Sequence, residues 1–402
     1  MCRDIAKPSA ALPPYGMLAV LWLVGWTLRV PILSAPPLAT RMANSFDLGA
    51  AGIGALTMLP VIAVAFGAVP AAWIIGRFGV RAAIVGGLVV MVVASVARGQ
   101  VPSTALLWGV SVVMGLGVAV FQTALPAATR IWTPTHTALG SAVYLNGMML
   151  GELSGAGLTL PVVLPLAGGD WRFALVLWAA PILLIALLVL LVRVPKLSVH
   201  VGGSDDAPFL SARSSLPRAN DGRVWQYGLL LGSSVVAFFV VNAYMGAILQ
   251  ARGEADALTG VLFAYNVMPL FASFAVVLVP KWIGFRQPVA VSALIAAIGL
   301  AGFIVFEGWV SWLSALAVGF AATIELILLV SLPPVIASGI AVTRLSAGMT
   351  LIGFGVAFVL SLLGGLLADR SGSAETALMP ALCFMLLAFA ALGRFARYPA
   401  YK

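Results

Sequence analysis

The sequence contains very little charge. Only 9% of its 402 residues are Asp, Glu, Lys or Arg, whereas soluble globular proteins carry about 25%. A chain of this composition is neither a soluble enzyme nor a disordered protein, because both need far more charged surface. It also lacks the dense basic surface of a nucleic-acid-binding domain, so we expect no nucleic-acid partner.

Cysteine and histidine are scarce as well. Cys2 and Cys383 stand near opposite ends of the chain, and the two histidines are His136 and His200. This distribution excludes a disulfide framework and a Cys/His metal site. The chain also has no Gly-x-x-x-x-Gly-Lys-Ser/Thr segment, which excludes that type of ATP-binding loop. We therefore expect no metal, no cofactor and no enzyme activity.

Apolar residues dominate instead, at 62% of the chain with a mean hydropathy of +1.10. A helix that spans a bilayer needs about 20 mostly apolar residues. Twelve runs meet this condition, at residues 17–39, 50–74, 82–98, 104–127, 138–164, 173–193, 226–250, 257–280, 287–306, 309–333, 346–367 and 375–393. The sequence therefore predicts an all-α membrane protein with twelve transmembrane helices, surrounded by the lipid bilayer.

The basic residues predict the orientation of these helices. With the N-terminus inside, sixteen of the 22 Lys and Arg residues fall on the cytoplasmic side and one, Arg29, falls inside the membrane. Five fall on the outer side, namely Arg41, Arg98, Arg172, Arg252 and Arg370. Because cytoplasmic loops are enriched in Lys and Arg, we predict a multi-pass protein of a bacterial inner membrane with both termini cytoplasmic.

A polar segment divides the chain into two halves. Residues 195–225 are rich in Ser, Gly, Pro and charge, which is typical of a flexible linker. We predict an N-terminal six-helix bundle at 1–194 and a C-terminal six-helix bundle at 226–402.

Short matches between the halves indicate a duplication. Gly79 and Gly284 begin similar Gly-x-Arg segments, and Leu-Pro pairs end the fourth and tenth runs. Gly117 and Gly319 lie within those two runs. The offsets between the members of these pairs are nearly constant, as expected of two pseudo-symmetric units.

The segment after the second run, Ala72-Trp-Ile-Ile-Gly76-Arg77-Phe-Gly79-Val-Arg81, resembles the loop signature of the major facilitator superfamily. Arg77, Gly79 and Arg81 fit the signature, and Gly76 stands where the family has Asp. The resemblance covers nearly the whole chain. It implies a twelve-helix transporter that works by alternating access, with a gating loop at Arg77, Gly79 and Arg81 and a cavity lined by helices 1, 4, 7 and 10.

Two further segments are similar to the subfamily of cyanate and 2-nitroimidazole transporters. Arg29-Val-Pro31-Ile-Leu-Ser34-Ala-Pro36-Pro37-Leu38 lies in the first run, and Gly232 to Gly246 lies in the seventh. The resemblance implies a substrate that is a small planar anion or a nitro-type compound.

Charged residues inside the membrane support this interpretation independently. Arg29, Glu152 and Glu325 stand well within the first, fifth and tenth runs, and a charge at the bilayer centre costs about 2.5–3.5 kcal/mol on insertion scales. The guanidinium of Arg29 has a fork of donors that matches planar oxyanions. We predict that Arg29 binds an anionic or strongly dipolar substrate; the alternative is a permanent ion pair with Glu152 or Glu325.

Glu152 and Glu325 are also the two candidates for carrying a coupling proton. Further polar or aromatic side chains stand in the runs expected to line the cavity or beside them. They are Trp26, Gln122, Tyr144, Asn146, Asn242, Tyr244, Tyr265 and Asn266. We predict that seven of them contribute to substrate binding and leave Tyr265 as a secondary candidate; hydrogen bonding between helices is the alternative for each.

The sequence thus predicts a monomeric secondary transporter of a small planar anion or nitro-type compound. One alternative is a broad-specificity proton-coupled efflux pump, which would need an acidic residue rather than Arg29. Another is a receptor or scaffold without transport, which would show no flux of any substrate.

Overall fold

The computed structural model describes residues 15–192, 221–337 and 340–395. The predicted linker lies outside these residues up to position 220. Within them the chain is helical and contains no strand. Twelve long helices follow one another: α1 (Tyr15–Thr27), α2 (Ala50–Phe78), α3 (Val80–Gln100), α4 (Thr104–Trp132), α5 (Thr137–Gly157), α6 (Trp171–Leu191), α7 (Gly222–Ala251), α8 (Leu258–Leu278), α9 (Arg286–Val305), α10 (Gly308–Val330), α11 (Ile340–Ser371) and α12 (Met379–Phe395).

Length and hydropathy qualify ten helical segments of the described chain as membrane spans. An eleventh is the bent pair Leu139–Gly157 and Thr159–Leu166, whose two parts meet at 53°. The twelfth helix is shorter, with an apolar stretch at Ala374–Ala390. The all-α membrane fold is confirmed, and the predicted count of twelve is met in full only if this shorter helix also crosses.

The first span is broken rather than continuous. α1 ends at Thr27, and the chain resumes as one turn at Val30–Leu33 and a further helix at Ala39–Phe46. Pro31 stands in the first positions of that turn, where its missing N–H removes a hydrogen bond that a continuous helix would need. Arg29 is therefore the residue that caps the short turn, at the point where the span is interrupted.

α5 packs directly on the backbone of this broken span. Gly147, Gly151 and Gly155 recur at every fourth position of α5 and share one face. A Cβ on these glycines would collide with backbone carbonyl oxygens of the first span, at Trp22, Trp26 and Val30 respectively. The absence of side chains lets the two backbones touch, and it brings Glu152 to the height of Arg29.

Corresponding glycines show the internal repeat. Gly115 places α4 against the Pro60 carbonyl of α2, and Gly319 places α10 against the Tyr265 carbonyl of α8. The sequence pairs Gly319 with Gly117, which instead faces α3. Gly115 is the better structural equivalent of Gly319, because both let the fourth helix of a unit approach its second.

Arginines bind the exposed carbonyls at several helix ends. Arg81 donates to Val189 and Leu190 at the end of α6, over 3.1 and 2.5 Å. Arg252 donates to Phe303 and Ile304 at the end of α9, both over 3.0 Å. These contacts satisfy carbonyls that have no partner within their own helix.

Arg252 also forms an ion pair with Glu375, at 3.0 Å. Ser373 Oγ donates over 2.7 Å to the other carboxylate oxygen of Glu375, so both oxygens have a partner at the start of the last apolar stretch.

The sequence analysis counts Arg98 with the outer-side cations, at the end of the third run. The structure places it in the last turn of α3 and shows that its side chain is completely buried. Position at the end of a hydrophobic run does not reveal whether a side chain points to water or into the bundle.

The contact between α5 and the first span can be tested at Gly151. Because an added Cβ would meet the Trp26 carbonyl, Gly151→Ala should lower the thermal unfolding temperature of the purified protein. Gly86→Ala is the matched control, since Gly86 is within α3 and a Cβ there meets nothing within 4 Å. Helix propensity alone favours Ala by about 1 kcal/mol at either site. Equal unfolding temperatures for the two variants would contradict this packing.

Candidate functional site

Arg29 and Glu152 face each other across the contact between the first span and α5. Arg29 Nε lies 3.3 Å from Glu152 Oε1, and the two side chains are 11% and 10% exposed. The Nε–H of Arg29 does not meet hydrogen-bond geometry with this oxygen. The contact is therefore an ion pair held mainly by charge, in surroundings from which water is largely excluded.

The guanidinium of Arg29 also reaches the second half of the chain. Its Cζ lies 5.9 Å from the centroid of the Phe239 ring on α7, within the distance of a cation–π contact. Among the described residues, Nη1 and Nη2 have no hydrogen-bond acceptor. Glu152 thus occupies the Nε side of the fork, while the paired Nη donors remain available to a ligand.

α7 is the most buried of the ten helical segments that qualify as membrane spans. In its apolar stretch 94% of the residues are buried, against 39–61% in the other nine. Ser233 on α7 donates over 2.7 Å to Oε1 of Glu325, which is fully buried on α10. Oε2 of Glu325 is buried and has no hydrogen-bond partner among the residues that the structure describes. Glu325 therefore has a hydroxyl neighbour but no cation within ion-pair distance in the described chain.

A second polar group joins α7 to α8. Asn266 Nδ2 donates to Asn242 Oδ1 over 2.9 Å. The Phe238 carbonyl accepts from Asn242 Nδ2 over 3.2 Å and from the Tyr265 hydroxyl over 3.0 Å. Within the described ranges, Oδ1 of Asn266 is buried and has no hydrogen-bond partner, so this amide retains one unused acceptor.

Two tryptophans of α1 bind polar side chains of α5. Trp22 Nε1 donates to Asn146 Oδ1 and Trp26 Nε1 donates to Ser154 Oγ, both over 3.0 Å. Trp26 also lies against Trp178, with ring centroids 6.0 Å apart. These hydrogen bonds hold the two indole rings of α1 against α5, and Trp26 lies one helical turn before Arg29 in the sequence.

A further set of contacts joins α2, α7 and α11 at the end where α2 begins. The two carboxylate oxygens of Asp369 accept from the Ala50 and Ala51 backbone N–H groups, over 2.6 and 3.0 Å. The Tyr244 hydroxyl lies 3.1 Å from the Ala50 carbonyl and 2.8 Å from the Ser361 carbonyl. A carboxylate at a helix N-terminus meets unpaired N–H groups and the positive end of the helix dipole. We call these contacts the α2/α11 junction.

Comparison with known proteins identifies the family. The sequence profile of the Major Facilitator Superfamily matches residues 17–327. The chain belongs to the Major Facilitator Superfamily. It is accordingly a membrane transporter and not an enzyme.

Two proteins from Escherichia coli (strain K12) are similar in sequence. The 2-nitroimidazole transporter is 26% identical over 318 residues, which cover 77% of each chain. The cyanate transport protein CynX is 25% identical over 367 residues, which cover 89% of this chain and 91% of CynX. These two names match the cyanate and 2-nitroimidazole transporters that the sequence resembles, so the predicted resemblance is confirmed.

Solved transporter structures have the same fold. The partially occluded inward-open xylose transporter XylE from E. coli superposes with a TM-score of 0.74 at 17% identity, covering 96% of this chain and 99% of XylE. A bacterial homologue of the human lysosomal transporter Spinster, in an inward-facing and occupied conformation, superposes with a TM-score of 0.76 at 18% identity, covering 96% and 97%.

The structure of this superfamily member brings together some of the predicted site residues. Arg29 pairs with Glu152, which resolves the alternatives for its partner: Glu325 binds Ser233 instead. Trp26 lies beside the pair, and Asn242 and Asn266 form one group.

Other predicted residues lie elsewhere or have no described partner. Tyr244 is fully buried in the α2/α11 junction. Gln122 Oε1 is buried without a partner, and the backbone of Tyr144 lies against Gly25 of α1. In the predicted gating loop, Arg77 and Gly79 are exposed and Arg81 binds the end of α6.

Three residues at these sites are missing from the sequence-based prediction. Phe239 and Ser233 stand within the seventh run, where they look like ordinary packing residues. Asp369 follows a Gly-Leu-Leu-Ala segment that resembles the gating signature, but its place after the eleventh run argues against a cytoplasmic gate. Only the structure shows that it caps the start of α2.

The α2/α11 junction can be tested through Asp369. Asp369→Ala removes both acceptors and should separate the ends of α2 and α11. Asn44 and Gln250 line the cleft between the two halves at this end. The distance between spin labels at these two positions, measured by pulsed electron paramagnetic resonance, should then increase. Asp256→Ala, at an exposed position near the same end, is the control. Unchanged distances in Asp369→Ala would show that the junction does not depend on this carboxylate.

Proposed function

We propose that this protein carries a small planar anion or nitro-type compound across the bacterial inner membrane by alternating access. The observation that supports this most is the Arg29 fork. It stands at the interruption of the first span, with Glu152 on one side and no acceptor among the described residues at Nη1 or Nη2. Nitrite, nitrate and nitro groups present two coplanar oxygens to such a fork, and a linear cyanate-like anion can accept from it through a terminal atom.

The surroundings of Arg29 favour a small, flat substrate. Phe239 lies over the guanidinium on the α7 side, and Trp26 is fixed by Ser154 on the α5 side. Aromatic faces accept planar ligands by stacking. Because Arg29 contacts both halves of the chain, a ligand bound there can respond to a change in their relative position.

Proton coupling is the second part of the proposal, and Glu325 is its main candidate. A buried carboxylate without a cation costs free energy, and a proton on Oε2 would remove that cost. Glu152 is less suited to this role in the described arrangement, because Arg29 already offsets its charge. Ser233 holds the other oxygen of Glu325 and leaves Oε2 for the proton.

The proposal includes the orientation and the division of the chain. Both termini are cytoplasmic, residues 1–194 and 226–402 form the two six-helix bundles, and the segment between them connects the bundles, except that its last residues from Gly222 onwards already belong to α7. In this orientation α2 begins and α11 ends at the outer face, so the α2/α11 junction closes the protein towards the outside. The protein works as a monomer, since both bundles of one chain contribute to the site.

The substrate class can be tested by ligand-dependent thermal stability of the purified protein. The panel is cyanate, nitrate, nitrite, short carboxylates, 2-nitroimidazole and imidazole. A ligand that binds only the folded state raises its stability, by about 2.7 kcal/mol at a concentration 100 times its Kd. We expect a shift with a planar anion or nitro compound that disappears in Arg29→Gln and is partly kept in Arg29→Lys.

Three results would contradict the proposed substrate class or the proposed role of Arg29. An equal shift in the wild type and in Arg29→Gln would make Arg29 a structural partner of Glu152. Stabilisation by larger hydrophobic or cationic compounds alone would support the efflux pump, and absence of flux for every compound would support a receptor.

Coupling can be tested in proteoliposomes with Glu325→Gln. We expect this variant to exchange substrate across the membrane but to lose accumulation driven by a pH gradient, because the proton carrier is absent. Ser233→Ala is the matched control and should keep accumulation, since it removes the hydroxyl and leaves the carboxyl. Full accumulation by Glu325→Gln would remove Glu325 from the coupling mechanism.

A further inference from the structure

Arg98 is a second arginine next to the interruption of the first span. It has no exposed surface, and its Nη1 donates over 3.0 Å to the Pro31 carbonyl, within the turn that Arg29 caps. Met114 Sδ accepts from the same Nη1 over 3.4 Å. Both guanidinium groups therefore belong to one short region of the N-terminal half.

No carboxylate in the described chain offsets the charge of Arg98. The ion pairs of the described residues do not include it, and its Nε and Nη2 are buried without any hydrogen-bond partner. A carbonyl dipole and a thioether compensate a buried cation only in part. At membrane depth such an uncompensated charge points to a function.

The charges around the broken span do not sum to zero. Arg29 and Glu152 cancel each other, and Arg98 adds one positive charge that a guanidinium keeps at physiological pH. In a poorly screened interior this charge acts beyond its contact distance. A ligand at Arg29 therefore meets hydrogen-bond donors from Arg29 and a net positive potential from Arg98.

We propose that Arg98 determines the specificity of the Arg29 site: it supplies the net positive charge that favours anions over neutral compounds of similar shape, without touching the substrate. This inference rests on the proposed function of Arg29. Hydrogen-bond donors and net positive charge then come from two different arginines. Arg29 keeps its Nη donors while Glu152 offsets its charge, and Arg98 supplies the positive charge.

The test compares anionic and neutral ligands in three variants of the purified protein. Nitrate and cyanate are the anions, and 2-nitroimidazole, measured at a pH low enough to keep its ring N–H protonated, is the neutral probe. Arg98→Met removes the charge, Arg98→Lys retains it, and Met114→Leu removes only the sulfur contact. Dissociation constants come from calorimetry, and size-exclusion profiles and unfolding temperatures show whether each variant is folded; Arg98→Gln replaces Arg98→Met if the latter does not fold.

We expect Arg98→Met to weaken binding of the anions about tenfold, equivalent to about 1.4 kcal/mol, and to leave 2-nitroimidazole binding unchanged. Arg98→Lys should restore anion binding, and Met114→Leu should resemble the wild type. An equal loss for anions and the neutral probe would make Arg98 a structural residue and overturn the proposal. Unchanged anion binding, or failure of a folded Arg98→Lys to restore it, would overturn it as well.

The same data distinguish this inference from the proposed function. If 2-nitroimidazole binds the wild type and neither anion does, the specificity role of Arg98 fails while the Arg29 site stands for nitro compounds. If no ligand of the panel stabilises or binds the wild type, the proposed substrate class itself fails, and the role of Arg98 fails with it.

Discussion

The arrangement of the N-terminal half depends on one requirement: a guanidinium inside the membrane must be compensated. Arg29 meets it because the first span is interrupted at Pro31 and because three glycines bring α5 against the backbone of that span. The close contact places Glu152 3.3 Å from Arg29. Without the glycines the carboxylate would be farther away, and the charge of Arg29 would carry its full desolvation cost.

The C-terminal half meets the same site with a different chemistry. α7 is buried on nearly all sides and presents an aromatic ring to Arg29, while its polar side chains bind Glu325 and Asn266 behind it. In the described residues, the N-terminal half thus contributes the Arg29–Glu152 pair, and the C-terminal half contributes the Phe239 ring and a buried carboxyl with no cation within ion-pair distance. A site divided in this way is complete only when the two halves are in contact at the centre, which suits a protein whose halves move relative to each other.

Much of the fold was accessible from the sequence, because bilayer thickness translates directly into runs of about 20 apolar residues. The three charges at mid-span were accessible for the same reason, since a charge stands out in an apolar run. The contact partners of these charges could not be predicted. The sequence left open whether Glu152 or Glu325 faces Arg29, because the answer depends on which helices touch. The burial of Arg98 was not accessible either, because a cation near the end of a run can point to water or into the bundle. Phe239 and Ser233 carry no local signal at all.

The contact of Asp369 with α2 has a consequence for sequence variation. Its carboxylate binds backbone N–H groups of Ala50 and Ala51, and every residue except proline offers that donor. The α2 side of the contact can therefore vary widely, limited mainly by the room that Gly49 and Gly365 provide, while the α11 side requires one acidic residue. Among related chains we expect the residues at positions 50 and 51 to vary widely and the residue at position 369 to stay acidic. The contacting positions would then show no covariation.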